Sequence, residues 1–308
     1  MPIITLTSCP VCGSADIEKV FDTADYFSSG EVFPVWGCRN CGFRFTNHFP
    51  SEDLIGKYYD SPDYISHSDS RRGLINKLYH LGRHYMLSQK VNLVSHHMDG
   101  QNGKLLDIGC GTGYFLHVAQ KRGFTVAGIE KNEQARAHAI TRFGLDVKDE
   151  KSFFDMPERS CSIVTLWHVL EHLEKLNESL EKINDILTPG GTLVIALPNC
   201  HSYDAEFYKE RWAAYDVPRH LWHFSPGTVE KLLSKYQLKI VKKVRMPLDA
   251  FYISLLSEKY RGSNPFTQYG RAFRVGATGF LRSLRNPGQS SSLIYIAKKN
   301  STTTHSRK

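Results

Sequence analysis

The most chemically distinctive residues of this 308-residue sequence are four cysteines arranged as two matching pairs. Cys9 and Cys12 lie in CPVCG, and Cys38 and Cys41 lie in CRNCG. A Cys-x-x-Cys pair followed by glycine forms a tight turn, and two such turns supply four thiolates to one tetrahedral zinc ion. A closed four-sulfur site has no open coordination position, so we expect a structural zinc. A redox dithiol, which needs only one pair, is the less favoured alternative, and the segment between the pairs is long enough for a β-hairpin.

A second group of residues surrounds a glycine-rich turn in KLLDIGCGTGYFL. The turn contains three glycines, Gly109, Gly111 and Gly113. Tyr114 stands where a dinucleotide-binding motif has its third glycine, and Asp107 precedes the turn. That carboxylate would repel a pyrophosphate but suits a ligand with positive charge. Glu130 ends the next apolar segment and can accept hydrogen bonds from ribose hydroxyls. The pattern predicts a nucleoside site for a cationic cofactor.

The segment RWAAYDVPRHLWHFSP, residues 211–226, concentrates ionisable and aromatic side chains. Its two prolines argue against one continuous helix. Histidine titrates near neutrality and is the usual proton acceptor in catalysis, so His220 is our first candidate for a base and His223 the second. Arg219 is a candidate anchor for an acidic substrate group. We expect Trp212 and Trp222 to pack, and packing with backbone hydrogen bonds is the alternative for both histidines.

The segment HVLEH matches His-x-x-Glu-His, a zinc-protease signature, and places His168 and His172 near each other. We do not favour the protease interpretation, because short motifs often occur by chance and no third ligand is evident in the sequence. For Glu171 and His172 we expect helix capping and surface pairing. His168 remains a further candidate for a base.

The elements that must position these residues alternate along the chain. LLDI, TVAGIE, CSIVTLW and GTLVIALP are apolar strand patterns, and helical patterns such as NESLEKINDIL separate them. This alternation predicts a parallel α/β sheet with a nucleotide-type ligand at the carboxyl ends of its strands. Residues 211–226 follow the fifth strand of the predicted sheet. We therefore expect them to lie at that edge and to form a wall on the substrate side of the site.

Composition and charge place the chain among ordinary globular proteins, with 41% apolar residues and a net charge of +8. No signal peptide or membrane-spanning segment is evident, and we expect a cytoplasmic protein. From Arg245 to Lys308 eleven Lys or Arg face two acidic residues, a net charge of +9. This basic part either faces an anionic partner or is a solvated surface. We expect three further cysteines to be small core residues, namely Cys110, Cys161 and Cys200.

LLDIGCGTGYFL, VAGIE, LWHVLEHL, LTPGGTLVIALPN and DVPRHLWHFSP resemble the class I S-adenosylmethionine-dependent methyltransferases. The resemblance is to a bacterial subgroup with an amino-terminal zinc-binding segment. It implies an α/β, Rossmann-like fold of seven strands, the last two antiparallel. It divides the chain into a zinc ribbon over 1–50, a helical, cofactor-covering linker over 51–100 and a methyltransferase domain over 101–300. A helical cap over 246–289 lies between the last two strands, and 301–308 form a flexible tail.

The resemblance also implies roles for individual residues. Asp107 and the three glycines should surround the methionine part of S-adenosylmethionine, with Glu130 at the ribose. Lys131 and Asp149 should lie at the adenine. Trp167 and His168 should lie near the sulfonium, and Tyr64, with Tyr59, should cover the cofactor.

We therefore expect methyl transfer from S-adenosylmethionine to a small-molecule acceptor, with a histidine base. The acceptor is expected to be anionic, such as a sugar nucleotide, a lipid or a carrier-bound intermediate. Two alternatives remain: a zinc-ribbon RNA methyltransferase and a non-catalytic S-adenosylmethionine-binding module. The first 100 residues lack the excess of Lys and Arg that an RNA platform requires, which disfavours a nucleic-acid partner.

Overall fold

The structure is a computed structural model that describes residues 3–59, 86–97 and 103–300. It begins with an amino-terminal module of short strands. Its strands are β1 (Ile3–Ile4), β2 (Ile17–Ala24), β3 (Val32–Cys38), β4 (Arg44–Thr46) and β5 (Phe49–Pro50). β2 and β3 form the antiparallel hairpin expected between the two cysteine pairs, and β4 adds to β3. In the part of the chain that the structure describes, α1 (Glu52–Ile55) follows the module, and a helix described over residues 86–95, called α2, precedes the central sheet.

A seven-stranded sheet forms the centre of the chain. Its strands are β6 (Lys104–Ile108), β7 (Thr125–Ile129), β8 (Val147–Lys148), β9 (Cys161–Trp167), β10 (Leu187–Pro198), β12 (Leu238–Arg245) and β13 (Ser292–Lys299). Their order across the sheet is β12-β13-β10-β9-β6-β7-β8. β13 runs antiparallel to both neighbours, whereas β8, β7, β6, β9 and β10 pair in parallel. The predicted seven-stranded fold with an antiparallel final pair is confirmed.

Both faces of this sheet are covered, which is why its strands are apolar runs rather than alternating ones. Leu105 packs into one buried layer and its neighbour Leu106 into the other. The helices of the domain are α3 (Tyr114–Lys121), α4 (Glu133–Phe143), α5 (Glu150–Phe154), α6 (Leu176–Ile186), α7 (Tyr203–Tyr208) and α8 (Pro226–Ser234). In α6 the buried residues recur at intervals of three and four, so one face of the helix meets the core. Cys110, Cys161 and Cys200 are buried, as expected.

The segment between β12 and β13 forms two helices, α9 (Asp249–Tyr260) and α10 (Pro265–Arg285), which pack on each other. This is the predicted helical cap. Among the described residues, no helix is both long enough and apolar enough to cross a membrane. Tyr64, the tail over 301–308 and most of the predicted linker lie outside the described residues.

The amino-terminal module is joined to the central domain by an unexpected strand pairing. β11 (Trp222–His223), inside the segment 211–226, pairs antiparallel with β4 and completes a four-stranded sheet. Phe43 of the module contacts the rings of Trp222 and Phe224. The segment predicted as a wall of the substrate site therefore also supplies the strand that pairs with the amino-terminal module, residues 3–50, which is called the cysteine module below.

Candidate active site

The glycine-rich turn after β6 has a backbone shape that glycine adopts without strain. Gly109 has φ +69° and Gly113 has φ +82°, both in the left-handed region. Space excludes a side chain as well: a Cβ on Gly109 would lie 2.5 Å from Cγ2 of Val169, and one on Gly113 would lie 2.7 Å from Cβ of Ala139. Gly111, at the middle of the turn, faces open space. The turn can thus bring backbone close to a ligand.

Asp107 lies beside this turn and is 2% exposed. Its Oδ1 accepts a hydrogen bond from Oγ1 of Thr165 at 2.5 Å. Burial raises the pKa of the Asp107 carboxyl to about 7, although Thr165 and the charge of Lys90 oppose the shift. A nearby cation would stabilise the ionised carboxylate. The environment of Asp107 therefore fits the ammonium group of S-adenosylmethionine.

Glu130 follows β7 and is held by two backbone amides. Its Oε2 accepts from the N–H of Gly111 at 2.7 Å, and its Oε1 accepts from the N–H of Asn132 at 2.8 Å. Each carboxylate oxygen has a second lone pair, so the group can still accept hydrogen bonds from ribose hydroxyls. These bonds place Glu130 next to the glycine turn, at the carboxyl edge of the sheet.

The predicted adenine residues lie at the same edge but have protein partners. Nζ of Lys131 contacts a carboxylate oxygen of Glu52 in α1 and lies 3.8 Å from one of Glu150. Asp149 caps α5: its Oδ1 accepts from the backbone N–H of Ser152 at 3.0 Å. A contact of either residue with adenine stays a prediction. The contact with Glu52 brings the segment after the cysteine module to the cofactor edge.

Trp167 ends β9, and its indole contacts a lysine that the sequence analysis missed. Nζ of Lys90, in α2, lies 4.3 Å from the centre of the Trp167 ring. Burial lowers the pKa of Lys90, and the charges of Asp107 and Asp249 oppose that shift. The buried Nε1 of Trp167 has no hydrogen-bond partner in the described part of the chain. A lone lysine in an amphipathic helix carries no motif, so the sequence offered no signal for Lys90.

The four patterned cysteines converge. Sγ of Cys9 lies 3.5 Å from that of Cys41, and Sγ of Cys12 lies 3.5 Å from that of Cys38. All four sulfurs lie within 4.8 Å of one another. Zn–S bonds of ~2.3 Å in a tetrahedron place the sulfurs about 3.8 Å apart, so the group fits zinc with little adjustment.

The cysteine turns are alike because glycine follows each pair. The N–H of Gly13 donates to the carbonyl of Cys9 at 2.8 Å, and that of Gly42 donates to the carbonyl of Cys38 at 2.8 Å.

A second polar cluster lies after β9 and joins Glu171, His172 and His220. Glu171 is fully buried, and neither of its carboxylate oxygens has a hydrogen-bond partner among the described residues. The expectation of surface pairing for Glu171 and His172 is therefore wrong: residues 170–172 form a buried 3-10 turn. The ligand atoms of the three residues lie within 4.8 Å of one another, so the cluster could hold a divalent cation. His168, the first histidine of HVLEH, is not part of this cluster, so the cluster is not the zinc site of the protease signature.

His220 has the geometry of a proton acceptor. Its Nδ1–H donates to the carbonyl of Ala214 at 2.8 Å, which leaves the lone pair on Nε2. Nε2 lies 3.9 Å from Oδ2 of Asp216, and the His220 side chain is 13% exposed. The carboxylate of Asp216 would stabilise the imidazolium that forms when Nε2 takes a proton.

The pKa values of His172 and His168 are shifted in opposite directions. Burial, followed by the charge of His220, lowers the pKa of His172 to about 4. Burial alone would lower the pKa of His168 too, but Glu171 and then Asp249 raise it. Nδ1 of His168 lies 3.4 Å from Oε1 of Glu171, and Nε2 lies 3.7 Å from Oδ2 of Asp249. His168 is therefore held towards its cationic form, which suits a charge partner better than a base.

Arg219 is not available to anchor an acceptor, which corrects the sequence-based expectation. The side chain is 2% exposed. Its guanidinium donates to Asp216, to Oδ1 of Asp25 at 2.7 Å and to the carbonyl of Tyr58 at 2.8 Å. These hydrogen bonds and charges raise the pKa of Arg219, although burial opposes them. The sequence contained no sign that Asp25, far away along the chain, would take this role.

His223, Trp212 and Trp222, three further candidates of the segment 211–226, are buried. His223 is 3% exposed, and its Nε2 lies 3.0 Å from Oγ1 of Thr46. Burial lowers the pKa of His223 well below its usual value. Trp212 donates to Asp204, and Trp222 donates to the carbonyl of Leu173. The predicted packing of both indoles is confirmed.

Tyr59 reaches the second polar cluster from the segment after α1. Its hydroxyl lies 3.1 Å from Nδ1 of His172, whose N–H also faces the carbonyl of Arg219 at 3.0 Å. In the described part of the predicted covering segment, Tyr59 therefore contacts this cluster, and its predicted place over the cofactor stays a prediction.

A seven-stranded sheet with one antiparallel strand, a buried acid before a glycine turn and a second acid at the end of the next strand define a class of protein, the S-adenosylmethionine-dependent methyltransferases. The chain belongs to the methyltransferase domain family, whose sequence profile matches residues 79–243.

Named relatives agree with this family. A probable S-adenosylmethionine-dependent methyltransferase of Mycolicibacterium smegmatis is 26% identical over 129 residues, 41% of this chain and 48% of that protein. The ubiquinone biosynthesis O-methyltransferase of Idiomarina loihiensis is 29% identical over 119 residues, 36% of this chain and 49% of the relative. The match to these two proteins thus spans about half of their length. The tRNA N(3)-cytidine methyltransferase METTL2 of Danio rerio is 26% identical over 111 residues, 30% of this chain and 31% of the relative.

Among solved structures, a methyltransferase of Haloferax volcanii in complex with the Trm112 methyltransferase activator has a TM-score of 0.50 and 15% identity. It covers 69% of this chain and 90% of its own. At this identity the likeness concerns the fold alone.

Proposed function

We propose that this chain transfers the methyl group of S-adenosylmethionine to a hydroxyl or acidic carbon of a small anionic molecule, with His220 as the base. The observation that carries the proposal is the orientation of His220. A carbonyl holds its Nδ1–H, and Asp216 lies beside the Nε2 that would accept the proton. An imidazole fixed in one tautomer beside a carboxylate is prepared for general-base catalysis.

The cofactor, when bound, supplies an electrophilic methyl group on a sulfonium. Asp107 would hold its ammonium and Glu130 its ribose, with the glycine turn against its methionine part. Trp167 would contribute an aromatic face near the cation. Transfer is an in-line displacement, so the protein's task is to align the acceptor, exclude water and remove the acceptor's proton.

The proposed anionic character of the acceptor rests on the charges next to His220. Glu171 and Asp249 hold His168 towards its protonated form, and Lys90 contributes a second cation over the Trp167 ring. Both cations lie at the edge where the acceptor would enter. Each could donate a hydrogen bond to a phosphate or carboxylate of the acceptor, with Glu171 and Asp249 offsetting part of their charge.

The proposed zinc has a structural role. Four thiolates would close its coordination shell, and the module it holds supports the His220 loop from behind. Oγ1 of Thr46 donates to the carbonyl of His220 at 2.8 Å, and the N–H of Thr46 donates to the carbonyl of Leu221 at 2.8 Å. We propose that the zinc module positions the base rather than contacting the acceptor.

RNA is the second candidate acceptor, because one relative is named as a tRNA methyltransferase. The two candidates separate in one labelling experiment. The purified protein is incubated with methyl-labelled S-adenosylmethionine and either the small-molecule fraction or the total RNA of its host. Label in the small-molecule fraction that is lost with His220→Ala supports the proposal. Label in RNA favours the second candidate, and label in neither, with cofactor still bound, favours a non-catalytic module.

A further inference from the structure

Helix α10 packs with its small residues inward and its large apolar residues outward. Its buried positions are Ala272, Val275, Gly276, Gly279 and Ser283. The large apolar residues are strongly exposed: Phe266 95%, Tyr269 67%, Phe273 67%, Leu281 60% and Leu284 51%. A helix on the surface of a globular domain normally buries its large apolar side chains. In α10 that arrangement is reversed.

The small residues explain how α10 docks. A Cβ on Gly276 would lie 2.8 Å from the Phe251 ring of α9, and one on Gly279 would lie 3.8 Å from Ala250. The two helices therefore approach closely through glycine, and the rings of Phe273 and Phe280 lie 5.8 and 6.5 Å from the Phe251 ring, centre to centre. Most of the surface of the large apolar residues named above nevertheless stays exposed.

The exposed residues lie along one side of the helix, and the half-buried Ala277 and Phe280 lie between the two ends of this stripe. Phe266, Tyr269 and Phe273 are separated by three and four residues, and Leu284 follows Phe273 by eleven, about three further turns. At 1.5 Å per residue the stripe is about 27 Å long. Leu248 and Tyr252, at the start of α9, are also exposed, at 63% and 57%. Exposed apolar surface of this extent marks a contact surface.

All the charges of α10 are positive. The helix contains four arginines and no acidic residue: Arg271, Arg274, Arg282 and Arg285. Arg271 lies 3.6 Å from the buried Glu258, and the Arg282 guanidinium lies over the Tyr203 ring. In the described part of the chain, Arg274 and Arg285 have no ion-pair partner. On the helix, the arginines lie to one side of the apolar stripe.

We propose that α10 is an interfacial helix that binds the surface of an anionic phospholipid membrane. The apolar stripe would enter the boundary between headgroups and acyl chains, and the arginines would contact lipid phosphates. A second copy of this chain fits less well, because pairing of two such helices along their stripes would bring two rows of arginine together. This surface involves no residue of the proposed transfer site, so it stands independently of the acceptor.

The test measures binding of the whole purified protein to vesicles of phosphatidylcholine with 30% phosphatidylglycerol, and to pure phosphatidylcholine, by flotation. The wild type should bind the anionic vesicles, and binding should weaken with added salt. Phe266→Ser with Phe273→Ser should lower the binding at least about tenfold, because two large apolar side chains no longer enter the lipid. Arg274→Glu should lower it about tenfold as well. Phe266 and Arg274 are exposed, and Phe273 is mostly exposed with one ring contact to Phe251, so the melting temperature should fall only slightly.

Two matched controls come from other helices. Ile140→Ser removes an exposed apolar side chain from α4, and Lys231→Glu reverses an exposed charge on α8. Both should bind the anionic vesicles like the wild type. Absent vesicle binding, equal binding to both vesicle types, or equal losses in the controls would overturn the proposal. So would a dimer, seen by sedimentation, that Phe273→Ser dissociates and that does not bind lipid.

Discussion

The cofactor edge and the proposed acceptor edge lie side by side at the carboxyl ends of neighbouring strands of one sheet, yet they are built differently. The cofactor edge uses one short stretch, residues 107–113, and Glu130 at the end of the next strand. Its key bonds are local: Glu130 accepts from the backbone of Gly111 and Asn132. The acceptor edge combines side chains from five separate segments, which contribute Tyr59, Lys90, residues 168–172, residues 216–220 and Asp249. The difference shows that a site assembled from distant segments produces no motif in any one of them.

The acceptor edge also depends on the cysteine module, whereas the cofactor edge does so only at its rim. Thr46 and Asp25 of the module hold the segment 216–220 through hydrogen bonds to the His220 carbonyl and to Arg219. On the cofactor side, the contact of Glu52 with Lys131 is exposed and worth little. The two edges should therefore respond differently to the same perturbation.

The largest expected effect is loss of the proposed zinc. Cys38→Ser, or chelation of the metal, should disorder the module and the 213–223 segment, because structural zinc contributes folding free energy on the order of 10 kcal/mol. Affinity for S-adenosylhomocysteine should change only a few-fold. Hydrogen exchange and calorimetry measure the two responses, and Cys161→Ser, in a buried strand away from the cluster, is the control. Cofactor binding that is lost together with the 213–223 segment would contradict the comparison.

Next in size is removal of the proposed base. His220→Ala should lower turnover by ~10² to 10⁴, the usual contribution of a positioned proton acceptor, and leave S-adenosylhomocysteine binding unchanged. His201→Ala, at an exposed histidine nearby, should retain activity. If His220→Ala binds cofactor, folds and turns over at the wild-type rate, His220 is not the base.

The same cluster could act through a divalent cation, and a metal assay separates the two possibilities. With a histidine base, EDTA in excess over any loosely bound cation should leave the initial rate unchanged while the four-cysteine zinc is retained. Activity that EDTA removes and a divalent cation restores would assign Glu171, His172 and His220 to a metal instead.

At the cofactor edge, Asp107→Asn should lower affinity for S-adenosylmethionine by roughly 10- to 100-fold, as expected for one charge-assisted hydrogen bond of about 1.5–3 kcal/mol. The substitution preserves shape, so the fold should persist. Asp146→Asn, at an exposed carboxylate before β8, should bind normally. Calorimetry measures both, and equal affinity in Asp107→Asn and wild type would remove Asp107 from the cofactor site.

The smallest expected effect is the release of a proton by Asp107 when the cofactor binds. Because burial raises the pKa of Asp107 to about 7, the free protein holds this proton at pH 6. A bound ammonium favours the carboxylate, so cofactor binding near pH 6 should release up to one proton, and affinity should rise between pH 5 and 7. Calorimetry in buffers with different ionisation enthalpies measures the release. Asp107→Asn should abolish it, and release that persists in this variant must come from another group.

The raised pKa of Asp107 also makes the stability of the free protein depend on pH. A carboxyl with a folded pKa above its unfolded value favours the native state most at low pH. That contribution is lost as the pH rises from about 4 towards 7. The free protein should therefore lose some stability over this range, and Asp107→Asn should flatten the loss.

The cofactor edge could be predicted because its chemistry follows from order along the chain. A strand, three glycines and a helix specify a turn, and an acid before it and one after the next strand specify charge. The grouping of the four cysteines could be predicted equally well, because the two Cys-x-x-Cys turns have the same local geometry. The acceptor edge was read only in part: His220 was singled out, but Arg219, Glu171 and His172 were assigned the wrong surroundings.

The sequence by itself determined the elements and the local sites: the parallel sheet, the glycine turn with Asp107 and Glu130, the paired cysteines and the helical cap. Each follows from periodicity or from residues only a few positions apart, where backbone geometry alone sets the distances. Only the tertiary structure decided that Asp25 neutralises Arg219, that Glu171 is buried, that Lys90 covers Trp167 and that α10 turns its aromatic residues outward. Burial and charge partners depend on which distant segments meet, and that depends on the packing of the whole chain.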